Sequence, residues 1–221
     1  MASNIVFYGI LFVNFCLAIS VHEFAHASAA YWLGDSTARD QGRLTLNPLA
    51  HLDPVGTICL VMGYFGWGKP VPVDPRNLRN PRRDGLWISA AGPSANLLLA
   101  ILFASVLWFI KAWPESISLA EKSGLILLLP ALAWGILLNL SLMFFNLLPI
   151  FPLDGEKVIV GLIPARWVKT VVRFRSYGMV ILVLLLASRP VFGVSPMGWL
   201  LQRSVYPLFK FLVPSVFEGV I

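Results

Sequence analysis

Residues 5–26 read IVFYGILFVNFCLAISVHEFAH, and this stretch decides the fold of the chain. The apolar run at 5–20 continues without a break into the pattern H-E-F-A-H at 22–26. On a helix, His22 and His26 lie one turn apart and point to the same side. An ionisable side chain at the centre of a membrane span costs about 2.5–3.5 kcal/mol on insertion scales, so such residues normally mark a functional site. The stretch therefore predicts a membrane helix with a polar site built into it.

The composition is that of an integral membrane protein. Of the 221 residues, 57% are hydrophobic and 13% are charged, whereas a soluble domain averages roughly 45–50% and about 25%. This excludes a disordered chain and disfavours a water-soluble globule. The 17 glycines and 16 prolines often interrupt or flank apolar runs. At membrane depth, broken backbone is tolerated only where it is buried in protein or lines a wet cavity.

We expect an all-α polytopic membrane protein in which residues 1–221 form a single domain. Three apolar runs of about 25 residues or more can each cross a hydrocarbon core of roughly 30 Å, and a shorter fourth run reaches this length with its flanking residues. The expected spans are residues 4–33, 86–110, 124–148 and 172–194. Residues 54–73 are expected to be re-entrant or strand-like, and residues 196–217 to form an interfacial helix or a further span.

The distribution of basic residues predicts the orientation in the membrane. With four spans, twelve of the 17 lysines and arginines lie on one side and five on the other. Cytoplasmic loops carry the excess of basic residues, so the N-terminus is expected outside a plasma membrane. The twelve are Arg39, Arg43, Lys69, Arg76, Arg79, Arg82, Arg83, Lys157, Arg166, Lys169, Arg173 and Arg175. The net charge of +6 then points to lipid headgroups and not to nucleic acid as a partner.

The H-E-x-x-H pattern suits a metal site. Two imidazoles on one helix face can bind one zinc ion, and Glu23 is placed to act on water. Catalytic zinc usually takes three protein ligands. Asp154 is the candidate third ligand because it follows the cytoplasmic end of the third span, after two helix-breaking prolines. The alternatives are buried histidines at His22 and His26 without a metal, and an ordinary turn aspartate before a glycine.

Two motifs together carry a family resemblance. The sequence H-E-F-A-H in the first span, followed by N-L-L-P-I-F-P-L-D-G at the end of the third, resembles the site-2 protease family of intramembrane zinc metalloproteases. The resemblance covers about residues 8–190. Further stretches resemble the short prokaryotic branch without PDZ domains, namely G-R-L-T-L-N-P-L-A-H-L-D-P-V-G at 42–56, G-K-P-V-P-V at 68–73, N-P-R-R-D at 80–84 and G-P-S-A-N at 92–96.

The resemblance implies a core of three membrane helices that holds one Zn²⁺ through His22, His26 and Asp154. It also implies that Glu23 is the catalytic base, and that Asn146 orients substrate or stabilises the oxyanion. A side-chain amide at this depth suits an oxyanion as a donor, and it equally suits an interhelical hydrogen bond.

Three further features have open roles. By resemblance, residues 68–73 form a strand or loop that lines the substrate path. His51, beside Asp53 in a polar loop, is a weak candidate ligand and otherwise a structural residue or one near the entrance to the site. Asn96, on the second span, either takes part in catalysis or forms a hydrogen bond across to the core helices.

These features predict a hydrolase that cuts peptide bonds in or near transmembrane segments, as in regulated intramembrane proteolysis. The expected partners are a transmembrane protein substrate and membrane lipids, and the sequence does not give the oligomeric state. A zinc-binding transporter or sensor is the alternative, because intramembrane His and Asp also mark ion pathways. Such a protein would not need Glu23 as a base. An inactive relative that only binds membrane segments is a third hypothesis, and the intact catalytic set argues against it.

Overall fold

The computed structural model describes residues 2–63, 66–113, 115, 127–193 and 195–220. Within these ranges the chain forms helices and connecting segments and no strand. The α-helices are α1 (Ala2–Trp32), α2 (Thr37–Asp40), α3 (Pro54–Gly63), α4 (Pro81–Ala112), α5 (Leu128–Asn146), α6 (Asp154–Leu162), α7 (Ala165–Phe192) and α8 (Pro196–Leu212). Short 3₁₀ helices lie at Pro48–Ala50, Pro75–Asn77 and Ser215–Val220.

Four of these helices have the length and the apolar character to cross a membrane. Their span-like parts are Ile5–Trp32 of α1, Pro81–Ala112 of α4, Leu128–Asn146 of α5 and Ala165–Ser188 of α7. The predicted all-α polytopic membrane fold is therefore confirmed, and the chain is a multi-pass membrane protein.

Helix α4 begins at Pro81, earlier than the apolar run that starts near residue 86. Asn80 caps it, since its Oδ1 accepts a hydrogen bond from the N–H of Arg83 at 3.3 Å. In return, Asp84 Oδ2 accepts one from the N–H of Asn80 at 2.8 Å. This is a reciprocal capping arrangement with proline at the first helical position. Hydropathy marks only the apolar part of such a helix, so it misses the capped polar turn.

Helix α7 also begins before its apolar run, at Ala165 and not near residue 172. Its first turns carry several lysines and arginines, which are good helix formers and extend the helix beyond the apolar part. Most of α7 is exposed in the isolated chain. Residues 124–126, at the expected start of the third span, and residue 194, at the expected end of the fourth, lie outside the described residues.

Helices α1, α4 and α5 pack against one another. Gly135 of α5 permits a close approach, because a Cβ at this position would lie 2.5 Å from Asn14 Oδ1 and 2.6 Å from the ring of Phe103. Asn14 Nδ2 donates a hydrogen bond to the carbonyl of Ala131 at 3.1 Å and so ties α1 to α5. Small residues and interhelical amide hydrogen bonds are typical contacts between membrane helices.

For residues 196–217 the sequence leaves an interfacial helix or a further span open. The structure contains α8, which has 17 residues. Val205 and Phe209 of α8 are buried in one hydrophobic cluster with Ile136 and Leu140 of α5. Helix α8 therefore packs against α5, and its placement as an interfacial helix or as a further span stays a prediction.

The strand-like alternative for residues 54–73 is wrong for its first part, which forms α3. Asp53 directly precedes this helix, and its Oδ1 accepts a hydrogen bond from the N–H of Gly56 at 2.8 Å. An aspartate in this position stabilises the first turn of a helix. The apolar, glycine-containing run therefore continues as a helix of 10 residues.

Residues 66–74, called here the 66–74 segment, contain no helix. Gly68 forms an isolated antiparallel bridge with Leu52. Pro70 and Pro72 have no N–H to donate to a neighbouring strand. The predicted strand or loop at 68–73 is therefore a loop that makes a single bridge.

A buried carboxylate fixes the 66–74 segment to the end of α1. Asp35 is fully buried. Its Oδ2 accepts a hydrogen bond from the N–H of Asp74 at 2.8 Å, and its Oδ1 accepts from Asn77 Nδ2 at 2.8 Å and from the N–H of Thr37 at 3.1 Å. Burial raises the pKa of Asp35, but these hydrogen bonds lower it by more, so that the pKa lies below its ordinary value. The ionised form therefore stabilises the fold above the ordinary aspartate pKa of about 3.9, and this stabilisation is lost as the pH falls through the lowered pKa.

We expect Asp35→Asn to lower the free energy of unfolding by about 1.5–3 kcal/mol, because the new NH₂ group faces donors in place of an acceptor. Thermal unfolding of the detergent-solubilised protein at neutral pH measures this loss. Asp40→Asn is the matched control, since the Asp40 side chain is 55% exposed and surface changes usually stay within about 0.5 kcal/mol. Equal effects of the two substitutions would contradict the anchoring role of Asp35.

Candidate metal centre

Three side chains from distant parts of the chain converge in the interior. His22 and His26 come from α1, and Asp154 is the first residue of α6. The two histidine Nε2 atoms are 3.0 Å apart, and Asp154 Oδ2 lies 3.2 Å from that of His22 and 3.1 Å from that of His26. Both histidines are buried, and the Asp154 side chain is 16% exposed. The structure thus brings together the three predicted ligands, in an arrangement that can hold a metal ion.

Hydrogen bonds behind the two imidazoles fix which nitrogen faces the centre. His26 Nδ1 lies 2.6 Å from the carbonyl of Ile88, which can only accept, so this nitrogen donates. His22 Nδ1 lies 2.6 Å from Asn96 Oδ1. The amide nitrogen of Asn96 donates to the carbonyl of Ala18 at 3.2 Å, which leaves its oxygen to accept from His22. Both Nε2 atoms therefore present a lone pair to the centre, the form in which imidazole binds a metal.

Three electron-pair donors thus face one another in a buried place. An aspartate carboxyl is ordinarily ionised at neutral pH, so Asp154 Oδ2 also presents lone pairs to the two imidazoles. With no proton between the three atoms, they repel one another unless a cation lies among them. In tetrahedral zinc sites, bonds of about 2.0–2.2 Å place neighbouring ligand atoms about 3.3–3.6 Å apart, slightly farther than the three atoms here. The observed spacing of 3.0–3.2 Å and the His₂Asp donor set fit zinc.

Gly92 of α4 lets this helix approach the two imidazoles. A Cβ at this position would collide with His26 Nε2 and would lie 2.7 Å from His22 Cε1. Only glycine leaves this space free, because every other residue carries a Cβ. Gly92 therefore keeps the centre open on the side of α4.

An asparagine pair supports His22 from behind. Asn96 Nδ2 donates to Asn139 Oδ1 at 2.8 Å, and Asn139 Nδ2 donates to the carbonyl of Gly135 at 2.8 Å. Both asparagine side chains are fully buried. The structure thus shows the predicted hydrogen bonds of Asn96 across the core helices. Outer hydrogen bonds of this kind orient metal-binding histidines.

Asp154 lies at the start of a short helix that is held at both ends. A Cβ on Gly155 would collide with the carbonyl of Leu147, so the glycine allows the chain to fold back on the end of α5. At the other end, Arg82 Nε donates to the carbonyl of Val160 at 2.8 Å and the guanidinium also contacts that of Ile163. A basic side chain at the last carbonyls of a helix stabilises its C-terminus.

Helix α7 braces the chain on both sides of Asp154, through an ion pair to Glu156 and a close contact with Phe151. Arg175 donates two hydrogen bonds from one guanidinium nitrogen to the carboxylate oxygens of buried Glu156 at 2.8 and 2.9 Å. A Cβ on Gly178 would lie 2.6 Å from the carbonyl of Phe151. The loop that leads to Asp154 is therefore packed against α7.

Glu23 lies beside the centre and under the 66–74 segment. It is 8% exposed. Its Oε2 accepts a hydrogen bond from the N–H of Val71 at 3.2 Å. A Cβ on Gly68 would lie 3.6 Å from Glu23 Oε1. The carboxylate is thus held by backbone at one oxygen.

Two predicted candidates lie apart from the three ligands. Asn146 Nδ2 donates to the carbonyl of Leu142 in its own helix at 3.0 Å, so its part in substrate binding stays a prediction. His51 is fully buried, and its Nε2 donates to the carbonyl of Thr45 at 2.7 Å. The structure therefore places His51 as a loop residue outside the ligand group.

Sequence reasoning missed the roles of Gly92 and Asn139. For Gly92 the signal is the Gly-Pro pair inside a membrane span, which indicates a special backbone position. For Asn139 the signal was a side-chain amide in the middle of the third apolar run. Such a residue needs a hydrogen-bond partner at that depth.

Residues 10–188 match Peptidase family M50. The chain therefore belongs to this family, and the resemblance to the site-2 proteases is confirmed. Together with the four helices of membrane-spanning length, this makes the chain a membrane zinc metalloprotease with Zn²⁺ as its cofactor.

Bacterial relatives agree with this class. "Putative zinc metalloprotease YwhC" of Bacillus subtilis (strain 168) is 40% identical over 178 residues, which cover 80% of each chain. "Putative zinc metalloprotease Rip2" of Mycolicibacterium smegmatis is 29% identical over 183 residues, which cover 81% of this chain and 67% of the relative. No solved structure matches the chain at a significant level.

We expect Gly92→Ala to abolish zinc binding or to weaken it strongly, because the added methyl group occupies the space next to both imidazoles. Zinc per chain in the purified protein measures this effect. Gly85→Ala is the matched control on the same helix, since a Cβ there meets nothing within 4 Å. That control is expected to keep zinc and to gain up to about 1 kcal/mol of helix stability. Full zinc content in Gly92→Ala would contradict the close approach of α4.

Proposed function

We propose that the chain is an intramembrane endopeptidase that hydrolyses peptide bonds in or near transmembrane segments, as in regulated intramembrane proteolysis. The observation that supports this most is the convergence of His22, His26 and Asp154 next to the carboxylate of Glu23. In this proposal the first three are the zinc ligands and Glu23 is the catalytic base. Zinc transport or sensing explains the ligands equally well but assigns no task to Glu23.

Each side chain of the proposed site has a distinct task. Zinc, when bound, polarises the scissile carbonyl and lowers the pKa of a water molecule. Glu23 takes a proton from this water and passes it to the leaving amine. Because the N–H of Val71 holds Oε2 at 3.2 Å, Oε1 is the oxygen left for this transfer. Asn146 is proposed to orient substrate or to donate to the oxyanion through the second N–H of its amide, since the first is bonded to the carbonyl of Leu142.

The proposed substrate is a transmembrane protein whose helix unwinds locally. In an intact helix the carbonyl groups are already bonded within the segment. The 66–74 segment lies beside Glu23 and offers backbone groups with which an extended peptide can pair. Glycine or proline in the substrate span lowers the cost of unwinding. We therefore propose that spans with such residues are cut faster than uniformly leucine-rich ones.

The proposed orientation places the N-terminus outside the plasma membrane and the site toward the cytoplasm. The connection between α1 and α4, the first turn of α4, helix α6 and the first turns of α7 together carry twelve of the 17 basic residues, which favours the cytoplasm for this end of the bundle. His26 precedes Trp32, the last residue of α1, by six residues, which is about 9 Å along a helix. The site would then lie one to two turns below the cytoplasmic surface.

The peptidase proposal predicts that Glu23→Gln retains zinc but loses activity. The probe is a purified single-span polypeptide, labelled at both ends, with Gly-Pro in its apolar segment, and its all-leucine counterpart is the control substrate. Cleavage of the Gly-Pro probe is expected to fall by at least about 100-fold in Glu23→Gln, because the base is removed. Asp154→Ala is expected to lose zinc as well as cleavage. Unchanged cleavage by Glu23→Gln would refute the base, and equal cutting of both probes would refute the need for unwinding.

The orientation predicts which surface positions are reachable from outside the cell. In a background without Cys16 and Cys59, we expect a membrane-impermeant maleimide to label Lys111→Cys in intact cells. Arg79→Cys, in the loop before α4, is expected to react only after the cells are opened. Both wild-type side chains are exposed in the structure, so access is set by the membrane side. The reverse pattern would overturn the proposed orientation.

A further inference from the structure

The backbone beside Glu23 is held by hydrogen bonds at Lys69 and Val71. The N–H of Lys69 donates to the carbonyl of His51 at 2.7 Å. Two residues later, the N–H of Val71 donates to Glu23 Oε2 at 3.2 Å. Between them lies Pro70, which has no N–H. The direction of the Val71 N–H therefore depends on what holds the carbonyl groups of this short stretch.

The guanidinium group of Arg43 contacts the carbonyls of Lys69 and Pro70. Its Nη2 donates to the carbonyl of Lys69 at 2.5 Å, and its Nη1 contacts that of Pro70 at 3.4 Å. The fixed fork of a guanidinium group sets the relative position of two acceptors, which a single ammonium group cannot do. The peptide groups of Lys69 and Pro70 are thereby locked in one orientation.

The environment of Arg43 argues against a role in stability alone. The residue is only 6% exposed, and its Nε is buried with no hydrogen-bond partner in the described part of the chain. Among the described residues, no carboxylate lies within salt-bridge distance of its guanidinium. A buried charge without a counter-ion and with an unsatisfied donor is costly. Its charge is instead directed at two carbonyl dipoles next to Glu23.

A tight turn presents Arg43 to the 66–74 segment. Gly42 adopts a left-handed conformation with φ +68°, which favours glycine. The N–H of Arg43 then donates to the carbonyl of Ala38 in α2 at 2.8 Å. The backbone of Arg43 is thus fixed to α2 while its side chain reaches across to Lys69.

We propose that Arg43 is a positioning residue for the catalytic base. By fixing the carbonyls of Lys69 and Pro70, it aims the N–H of Val71 at Glu23 Oε2 and so holds the carboxylate with its other oxygen free. This inference rests on the proposed function of Glu23, and Arg43 itself does not touch the reacting atoms.

The test compares Arg43→Gln, Arg43→Lys and the control Arg79→Gln, which removes the same charge from an exposed position. Hydrogen–deuterium exchange of the zinc-loaded protein reports on the amides of Lys69 and Val71 without any substrate. We expect faster exchange at these two amides in Arg43→Gln, an intermediate rate in Arg43→Lys and the wild-type rate in Arg79→Gln. Zinc content is expected to stay at the wild-type level in all three.

Kinetics with the labelled Gly-Pro probe supply the second readout. For Arg43→Gln we expect kcat to fall by about 10- to 100-fold, the size of loss that misplacement of a catalytic group produces. Arg43→Lys is expected to recover part of this loss. An increase in KM alone would assign Arg43 to substrate binding and overturn the proposal.

The two readouts also separate this inference from the proposed function. Wild-type exchange at Val71 in Arg43→Gln would refute the positioning role whether or not the probe is cut. If the wild type fails to cut the probe, the proposed function fails, while faster exchange in Arg43→Gln still supports the contact between Arg43 and the segment. Loss of zinc in Arg43→Gln would show a general disturbance of the centre and would also overturn the proposal.

Discussion

Three electron-pair donors meet in the protein interior, and the rest of the structure depends on this contact. The Nε2 atoms of His22 and His26 and the Oδ2 atom of Asp154 lie within 3.0–3.2 Å of one another. In a low-dielectric interior their mutual repulsion is poorly screened. A cation among the three atoms attracts each of them. A geometry that is unfavourable without a metal therefore becomes favourable when a metal is bound. Metal binding and the packing of α1 against the start of α6 are therefore coupled.

The two sides of this centre are held by different means. The imidazoles are fixed from behind by oxygen atoms on α4, namely the carbonyl of Ile88 and the amide oxygen of Asn96. Asp154 lies on a loop-to-helix junction, and its position is set by the close backbone contact at Gly155 and by α7. The histidine side therefore rests on membrane helices, and the aspartate side rests on the junction of a loop with a short helix. The side chain of Asp154 is also more exposed than those of the two histidines.

The sequence alone predicts the membrane class, four apolar helices of spanning length and the three side chains that converge, but it misplaces some ends of the spans by five to seven residues. Hydropathy and the spacing of His22 and His26 report local properties, which a single sequence carries. It did not give the partner of His22, because Asn96 is 74 residues away and nothing in the local pattern links them. It also left α3 open as a strand, since a short apolar run has no clear period. The capping by Asp53 decides that element.

Glu23 and the two histidines lie in an enclosed part of the protein. Glu23 and both histidines are less than a tenth exposed, so few water molecules reach them and electrostatic interactions there are strong. The backbone of the 66–74 segment lies over Glu23. This segment is attached to the end of α1 through Asp35 and to the turn after α2 through Arg43. Asp35 and Arg43 both bond to backbone groups of this segment, so they hold its conformation independently of its own side chains. In the proposed reaction, a peptide in extended form pairs with this segment next to Glu23.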